Sequence, residues 1–216
     1  MAFERARQPE HKEQRRAAIL AAAESLFDER GLNDVSLSAI ARTAKSSKAN
    51  IYRYFESREA IFLAILVREY DGFIGQLERT LAPHAASNDA DEVAKVIARA
   101  LSERPRLVHL SSLLGSVLEQ NVSLDGVRTF KREVAHSLLR FLNCLHASMP
   151  ALDIPTCERA ITFIAAFSGG IYHTTAPGPT VRDLMKEPEF AWMKRDFEST
   201  AYDHARIVLR GLLATG

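Results

Sequence analysis

Apolar residues recur at helical spacing through almost the whole chain, and this pattern constrains the fold more than any other feature. Stripes at positions i, i+3, i+4 and i+7 are typical of helices that bury one face. One stripe consists of Ile19, Ala23, Leu26 and Phe27, and another runs through residues 62–81. No stretch alternates apolar and polar residues in the way a half-buried strand does. The sequence therefore predicts an all-α protein.

Residues that cap or end helices set the expected boundaries. Gly31 can take the left-handed conformation that ends a helix, Ser36, Ser47 and Ser57 are suited to N-caps, and Asp89 begins a capping box. About nine helices are expected, in residues 10–30, 36–44, 47–55, 57–81, from 89, 105–120, from 123 or 125 to before 150, 155–173 and 188–213. They predict a three-helix domain in residues 1–56 and a larger helical domain in residues 57–216.

Composition places the chain in a broad class without identifying its partners. The net charge is only +1, although basic residues cluster at Arg5, Arg7, Lys12, Arg15 and Arg16. The longest charge-free apolar run has 13 residues, fewer than the ~20 that cross a bilayer. No apolar leader stands at the beginning, and two cysteines fit a reducing compartment. We therefore expect a cytoplasmic protein without membrane spans or disulfides.

The segment Ser36–Arg58 is the most informative part of the chain. It combines two short helices around a tight turn at Lys45 and Ser46, which is the arrangement of a helix-turn-helix. In this motif the first helix braces the second, so that the second can lie in the major groove of DNA, roughly 12 Å wide. The pattern thus predicts a DNA-binding domain.

The second of these helices has one apolar and one polar face. Ile51 is expected to point inward, whereas Asn50 could pair with adenine and Lys48 with guanine or a phosphate. Tyr52 carries a hydroxyl on a rigid ring that suits a phosphate oxygen. The predicted DNA-binding residues are Ser36, Ser38, Lys45, Ser47, Lys48, Ala49, Asn50, Tyr52, Arg53, Tyr54 and Arg58.

The order of these residues resembles a known family. Residues 10–66 are similar to the N-terminal domain of TetR-type transcriptional repressors, and the matching residues are Gly31, Ser36, Ile40, Ala41, Ala44, Ser47, Lys48, Ile51, Tyr52, Arg53, Tyr54, Phe55 and Arg58. Two features depart from the family pattern: Lys45 and Ser46 replace a Gly-Val pair in the turn, and Arg58 replaces a Lys. A Lys in a left-handed conformation costs ~1 kcal/mol relative to Gly, and Lys45 could add a phosphate contact.

The resemblance implies a homodimer on a palindromic operator. In such repressors the last two long helices form a four-helix bundle across a two-fold axis. The eighth expected helix fits that role, since Ala160–Tyr172 is apolar on two faces and Gly169 and Gly170 allow close backbone approach. A monomer with a thick core is the alternative.

The resemblance also implies a small-molecule effector that releases the DNA. The C-terminal part matches by pattern only, so no ligand residue is transferred from the family. We expect a hydrophobic or aromatic effector, because the candidate lining residues are mostly apolar. They are Phe73, His109, Leu114, Leu118, Phe130, Phe141, Phe163, Phe167, Tyr172 and His173.

Other functions receive less support from the sequence. It contains no HExxH, GxSxG or P-loop motif and no His spacing typical of a metal site, so we expect no enzyme, no metal and no cofactor. A thiol sensor using Cys144 or Cys157 remains an alternative. An activator, an effector-independent regulator and a non-specific DNA-binding protein also remain open.

Overall fold

A computed structural model describes the backbone of residues 2–215 and the side chains of residues 11–215. All long elements in this part of the chain are helical, which confirms the predicted all-α class. The α-helices are α1 Ala2–Arg30, α2 Leu37–Thr43, α3 Lys48–Ile51, α4 Arg58–Leu81, α5 Ala90–Ser102, α6 Pro105–Ser112, α7 Leu124–Ser148, α8 Ile154–Thr175, α9 Pro179–Leu184 and α10 Phe197–Thr215. None of the helices described is both long and apolar enough to cross a membrane.

The predicted N-caps set the starts of the early helices. The Oγ atoms of Ser36 and Ser47 accept from backbone N–H groups three residues on, both at 3.1 Å. Ser57 does the same with Ala60 N at 3.0 Å. Asp89 caps α5 through one carboxylate oxygen that accepts from two N–H groups. These bonds satisfy donors that the first turn of a helix leaves without a partner.

The chain divides into two compact units. The first contains the chain as far as Arg68 together with Leu113–Arg132. In it α1 packs on α2, and the rings of Phe27 and Phe62 lie 5.7 Å apart between centroids. The residues at its centre, among them Ile19, Phe27, Ile40, Ile51 and Phe62, are buried. The first unit therefore has a hydrophobic core of its own.

The second unit contains Glu69–Ser112 and Glu133–Gly216. Here α10 packs against α5 and α8, and α6 packs against α8. Arg140 on α7 forms a bidentate ion pair with Glu78 on α4, with N···O distances of 2.9 and 2.6 Å. Phe73 and Phe141 meet edge to face with their centroids 5.8 Å apart. Apolar packing and ion pairs thus join these helices around a second core.

The C-terminal helices differ from the sequence prediction. A single helix over residues 188–213 was expected, but the structure has α9, a short 3-10 helix at Ala191–Met193 and then α10. Pro179, not Pro188, occupies the first turn of a helix. Asp196 accepts from Ser199 N at 2.8 Å, and this side-chain cap fixes a later start for α10. The predicted helix over 105–120 also ends early, at Ser112, and a π-helix follows at Leu114–Leu118.

Ile51 provides a direct test of the core of the first unit. Its side chain is fully buried, so Ile51→Ala is expected to lower the free energy of unfolding by about 2–5 kcal/mol. Ile51→Val removes less volume and should cost ~0.5–1.5 kcal/mol. Urea unfolding of the full chain measures both values. Equal stability of wild type and Ile51→Ala would contradict this packing.

Candidate functional site

The turn between α2 and α3 places Lys45 in the left-handed conformation that glycine adopts more easily. Lys45 has a φ of 48°, which is the left-handed region, and Ser46 N donates to Ala41 O at 2.8 Å. The side chain of Lys45 is exposed. The turn therefore closes without glycine, at the conformational cost expected for a non-glycine residue.

The recognition segment, defined here as Lys48–Tyr54, is fixed by its inner face. Ile51 is buried, and so is Phe55, the residue that follows the segment. The guanidinium of Arg16 on α1 lies 5.3 Å from the centroid of the Phe55 ring, within the range of a cation–π contact. Because these contacts hold one side of the segment, its opposite side faces solvent.

The outer face of the recognition segment carries four of the eleven predicted DNA-binding residues in exposed positions, namely Lys48, Ala49, Tyr52 and Arg53. Tyr52 is 58 % exposed, which is unusual for a ring of that size. Asn50 is half-buried, and its Nδ2 donates to Ser46 Oγ at 2.8 Å, so pairing with a base would require this bond to be exchanged. The predicted residues with exposed side chains are Ser36, Ser38, Lys45, Ser47, Lys48, Ala49, Tyr52 and Arg53.

A basic groove lies between α1 and the recognition segment, and we call it the α1–α3 groove. Its volume is about 1210 Å³, and its described lining residues include Lys12, Arg15 and Arg53 but no carboxylate. Lys12 and Arg15 belong to the basic cluster seen in the sequence, while the side chains of Arg5 and Arg7 lie outside the described residues. The sequence did not single out the other described α1 residues of the lining, His11, Gln14 and Ala18, because their place in the groove depends on how α1 packs.

Arg58 has a different place from the one expected. Its Nη1 donates to Val35 O at 3.0 Å and to Leu32 O at 3.4 Å, and its Nε donates to Glu59 at 3.0 Å. Glu59 is itself buried. The guanidinium therefore satisfies carbonyl groups at the entrance to α2 and a buried carboxylate, which is a structural role.

The second unit contains an apolar cavity of about 60 Å³, called here the inner cavity. Two of the ten candidate effector residues, Phe73 and Phe141, line it. Its polar groups are already bonded: Tyr70 Oη lies 3.2 Å from Ser111 Oγ. The other lining residues are Ile74, Leu101, Leu107, Val108, Leu138, Ile161, Ile164, Ala165, Ser168 and Gly169.

The remaining candidate effector residues are distributed elsewhere. Leu114, Leu118 and Phe130 belong to the first unit, and Phe163 is 50 % exposed on α8. The ring of Phe167 stacks on His204 of α10 with 3.7 Å between centroids. Apolar periodicity alone could not separate these positions from cavity positions, because it reports burial without identifying the neighbours.

Three predicted residues form an aromatic cluster between α6 and α8. His109 stacks on Tyr172 with 4.5 Å between ring centroids, and His173 lies edge-on to both rings. Burial, and then the charge of His173, lower the pKa of His109. A neutral imidazole is thereby favoured next to the phenol ring.

The two thiols are poorly suited to redox sensing. Burial raises the pKa of both Cys144 and Cys157 to about 11. The reactive species is the thiolate, and a raised pKa reduces its fraction at neutral pH. The environment of both cysteines thus disfavours the thiol-sensor alternative.

Comparison with protein families gives two matches that together span most of the chain. Residues 19–65 match the model described as bacterial regulatory proteins, tetR family. Residues 67–216 match the model described as tetracyclin repressor-like, C-terminal domain. The chain therefore belongs to the TetR family of transcriptional regulators.

Similar individual proteins match over shorter segments. The HTH-type transcriptional regulator EthR of Mycobacterium tuberculosis is 37 % identical over 82 residues, 37 % of this chain and 36 % of EthR. RutR of Escherichia coli is 31 % identical over 107 residues, 48 % of this chain and 50 % of RutR. The chain thus matches a third to a half of the length of these relatives.

Solved structures resemble the chain over nearly its full length. The fatty acid degradation regulator FadR of Bacillus halodurans gives a TM-score of 0.59 at 15 % identity, covering 92 % of this chain and 96 % of its own. FadR of Thermus thermophilus, a repressor described in complex with lauroyl-CoA, gives 0.58 at 19 % identity, covering 91 % and 94 %. At these identities the likeness establishes the fold alone.

The structural role of Arg58 can be separated from DNA contact. Arg58→Gln removes the charge beside buried Glu59 and the donors to two carbonyl groups, so it should lower the free energy of unfolding by about 1–3 kcal/mol. Arg53→Gln, at an exposed position, should leave stability within ~0.5 kcal/mol of wild type. Thermal or urea unfolding compares the two variants. If Arg58→Gln is as stable as the wild type, the hydrogen bonds of Arg58 do not stabilise the fold.

Proposed function

We propose that the protein is a transcriptional repressor that binds a palindromic operator as a homodimer and is released by a small hydrophobic or aromatic effector. In this proposal residues 1–56 bind DNA, and residues 57–216 bind the effector and dimerise. The observation that carries it is the exposed outer face of the recognition segment, where Lys48, Tyr52 and Arg53 stand at the surface of a helix-turn-helix.

DNA binding would combine base reading with phosphate contact. Lys48 and Ala49 stand at the beginning of α3, where a recognition helix meets base edges, and the small side chain of Ala49 permits close approach. Tyr52 and Arg53 would contact phosphate oxygens. The cations of the α1–α3 groove would add attraction that does not depend on sequence and that weakens as salt rises.

Dimerisation would use the exposed apolar surface of α8 and α10, called here the α8–α10 face. Phe163 is 50 % exposed and Ile207 is 66 % exposed, and Phe167 and His204 stack between the two helices. Gly170 and Gly211 are also at the surface, where small residues allow helices to approach closely. A second copy of the chain would cover this face and place two recognition segments on one operator.

Release would be a shift between two conformations of the dimer. An effector lowers operator affinity only by as much as it prefers the conformation whose recognition helices no longer match the two half-sites. The inner cavity supports an effector in the second unit. Helices α4 and α7 each contribute residues to both units, so they are the candidate levers. Scattering that gives the same distance between recognition helices with and without effector would contradict this step.

The function is tested by fluorescence-anisotropy binding to DNA upstream of the protein's own gene and to scrambled DNA, at two salt concentrations. A specific regulator should prefer its site by about 10³-fold or more and saturate with an even number of chains per site. Equal and weak binding to all upstream and scrambled fragments would contradict the proposal. Once an operator is known, transcription measured in vitro separates a repressor from an activator.

The recognition segment predicts the effect of two substitutions on that assay. Tyr52→Ala and Lys48→Ala should each weaken operator binding by about 10-fold or more, because both side chains face solvent and neither supports the core. Their unfolding midpoints should stay at the wild-type value, and Lys95→Ala on α5 is a matched surface control that should leave DNA binding unchanged. Wild-type operator affinity in both recognition variants would refute this placement of the recognition segment.

The α8–α10 face predicts the assembly state. Ile207→Glu should convert a dimer of twice 24.1 kDa into a monomer of 24.1 kDa, because a carboxylate in an apolar interface lacks a partner. Leu124→Glu changes an even more exposed residue, 75 % accessible in the first unit, and should leave the dimer intact. Light scattering coupled to size exclusion gives both masses. A dimeric Ile207→Glu protein, or a monomeric wild type, would exclude this interface.

A further inference from the structure

We propose that the effector is an amphiphilic anion, whose slender apolar chain enters the inner cavity and whose anionic head lies in a basic cleft formed by residues 174–195. The inference rests on the proposed function only in taking the ligand of the second unit to be the effector. It specifies the chemical class of that ligand and adds a binding site outside the apolar cavity.

The basic cleft is a surface cavity of about 440 Å³ beside the end of α8 and α9. Arg182, Lys186, Lys194 and Arg195 line it, together with Met185 and the segment 174–177, and none of the lining residues within the described part of the chain is a carboxylate. Its volume lies within the ~300–1,000 Å³ that is usual for ligand sites. The cleft therefore has both the space and the charge for a phosphate or carboxylate group.

Three of these four cations have no acidic partner among the residues that the structure describes. Lys186 pairs with Asp183 at 2.7 Å, but none of the carboxylates that the structure describes lies within ion-pair distance of the other three. Arg182 donates to Pro177 O and Arg195 to Lys194 O, each at 3.1 Å. Neighbouring cations repel one another, and a bound anion would relieve that repulsion through charge-assisted hydrogen bonds.

A small second cavity of about 110 Å³ adjoins both this cleft and the inner cavity. Leu101 and Val108 line both the inner and the second cavity. Thr175 and Ala176 line both the second cavity and the basic cleft. The three spaces therefore adjoin one another in this order, and their lining residues change from apolar to cationic.

The inner end of this path selects against polar and bulky groups. A volume of about 60 Å³ corresponds to roughly two water molecules at ~30 Å³ each, so the cavity admits only the end of an alkyl chain and excludes a ring system. The hydroxyl of Ser168 donates to Ile164 O at 2.7 Å, and Tyr70 and Ser111 are hydrogen-bonded. A polar group placed there would find its potential partners engaged.

The test is direct binding of four probes below their micellar concentrations: dodecyl phosphate, dodecan-1-ol, dodecyltrimethylammonium and inorganic phosphate. Trp192, the chain's single tryptophan, precedes Lys194 and Arg195 and reports on the cleft through its fluorescence, while calorimetry gives affinities independently. Dodecyl phosphate should bind about 10-fold or more tightly than dodecan-1-ol or inorganic phosphate, and the cationic amphiphile should bind most weakly.

Two sets of variants locate the head and the chain. Lys194→Gln combined with Arg195→Gln should weaken the binding of dodecyl phosphate by about 10-fold and leave the binding of dodecan-1-ol unchanged. Arg128→Gln combined with Lys131→Gln removes the same charge from α7 in the first unit. This control should change the affinity for neither dodecyl phosphate nor dodecan-1-ol. Ala165→Phe adds a ring to the lining of the inner cavity. It should weaken the binding of dodecyl phosphate and dodecan-1-ol without affecting the binding of inorganic phosphate.

The outcomes separate this inference from the proposed function. Equal affinity for dodecyl phosphate and dodecan-1-ol would exclude the head site, and equal affinity for dodecyl phosphate and inorganic phosphate would exclude the chain site. Binding of none of these probes, or a response only to vesicles of anionic phospholipid, would also overturn the inference. Operator binding is measured without a ligand, so these results leave the DNA-binding proposal intact. Tight binding of dodecyl phosphate by a chain that shows no specific operator binding would refute the proposed operator binding and leave this inference intact.

Discussion

The short recognition helix cannot hold its own shape, and its orientation therefore depends on burial of its inner face. With only Lys48–Ile51 in α-helical conformation, α3 is far below the ~12–15 residues at which isolated helices become stable. The Ser47 cap satisfies one N–H group, while burial of Ile51 and Phe55 fixes the rotation of the segment. The same contacts that stabilise the segment thereby decide that Tyr52 and Arg53 face outward.

The chain leaving this segment is also fixed on two sides. Arg58 donates to the carbonyl of Val35 before α2. Glu56 accepts from Ser123 N at 2.8 Å and from Ser123 Oγ at 3.0 Å, just before α7 begins. A displacement of the start of α4 or α7 would therefore strain these hydrogen bonds, which lie next to the recognition segment in sequence. This geometry supports the proposed release, in which these helices are the levers.

Local chemistry was readable from the sequence, and non-local packing was not. The caps at Ser36, Ser47 and Asp89 and the inward position of Ile51 follow from neighbours within one or two helical turns, so pattern and cap preference predict them. The role of Arg58 depends on carbonyl groups 23 and 26 residues away. The assignment of Phe130 to the first unit likewise depends on which helices meet. A stripe of apolar residues predicts that one face of a helix is buried, but it does not identify the helix against which that face packs.

The net charge of the chain does not indicate the two basic surfaces, because it counts cations in ion pairs together with cations that have no nearby carboxylate. The chain has 28 Lys and Arg against 27 Asp and Glu, yet many acids are used in ion pairs such as Arg140 with Glu78. Among the residues that the structure describes, Lys12, Arg15, Lys48 and Arg53 have no carboxylate within ion-pair distance, and neither do Arg182, Lys194 and Arg195. Desolvated or paired cations stabilise the fold, whereas unpaired cations grouped on one surface retain their field for a ligand. The first group lies along the α1–α3 groove and the recognition segment, and the second forms the basic cleft. One nearly neutral chain can thus present two separate basic surfaces, because ion pairing, rather than composition, determines where positive charge remains available.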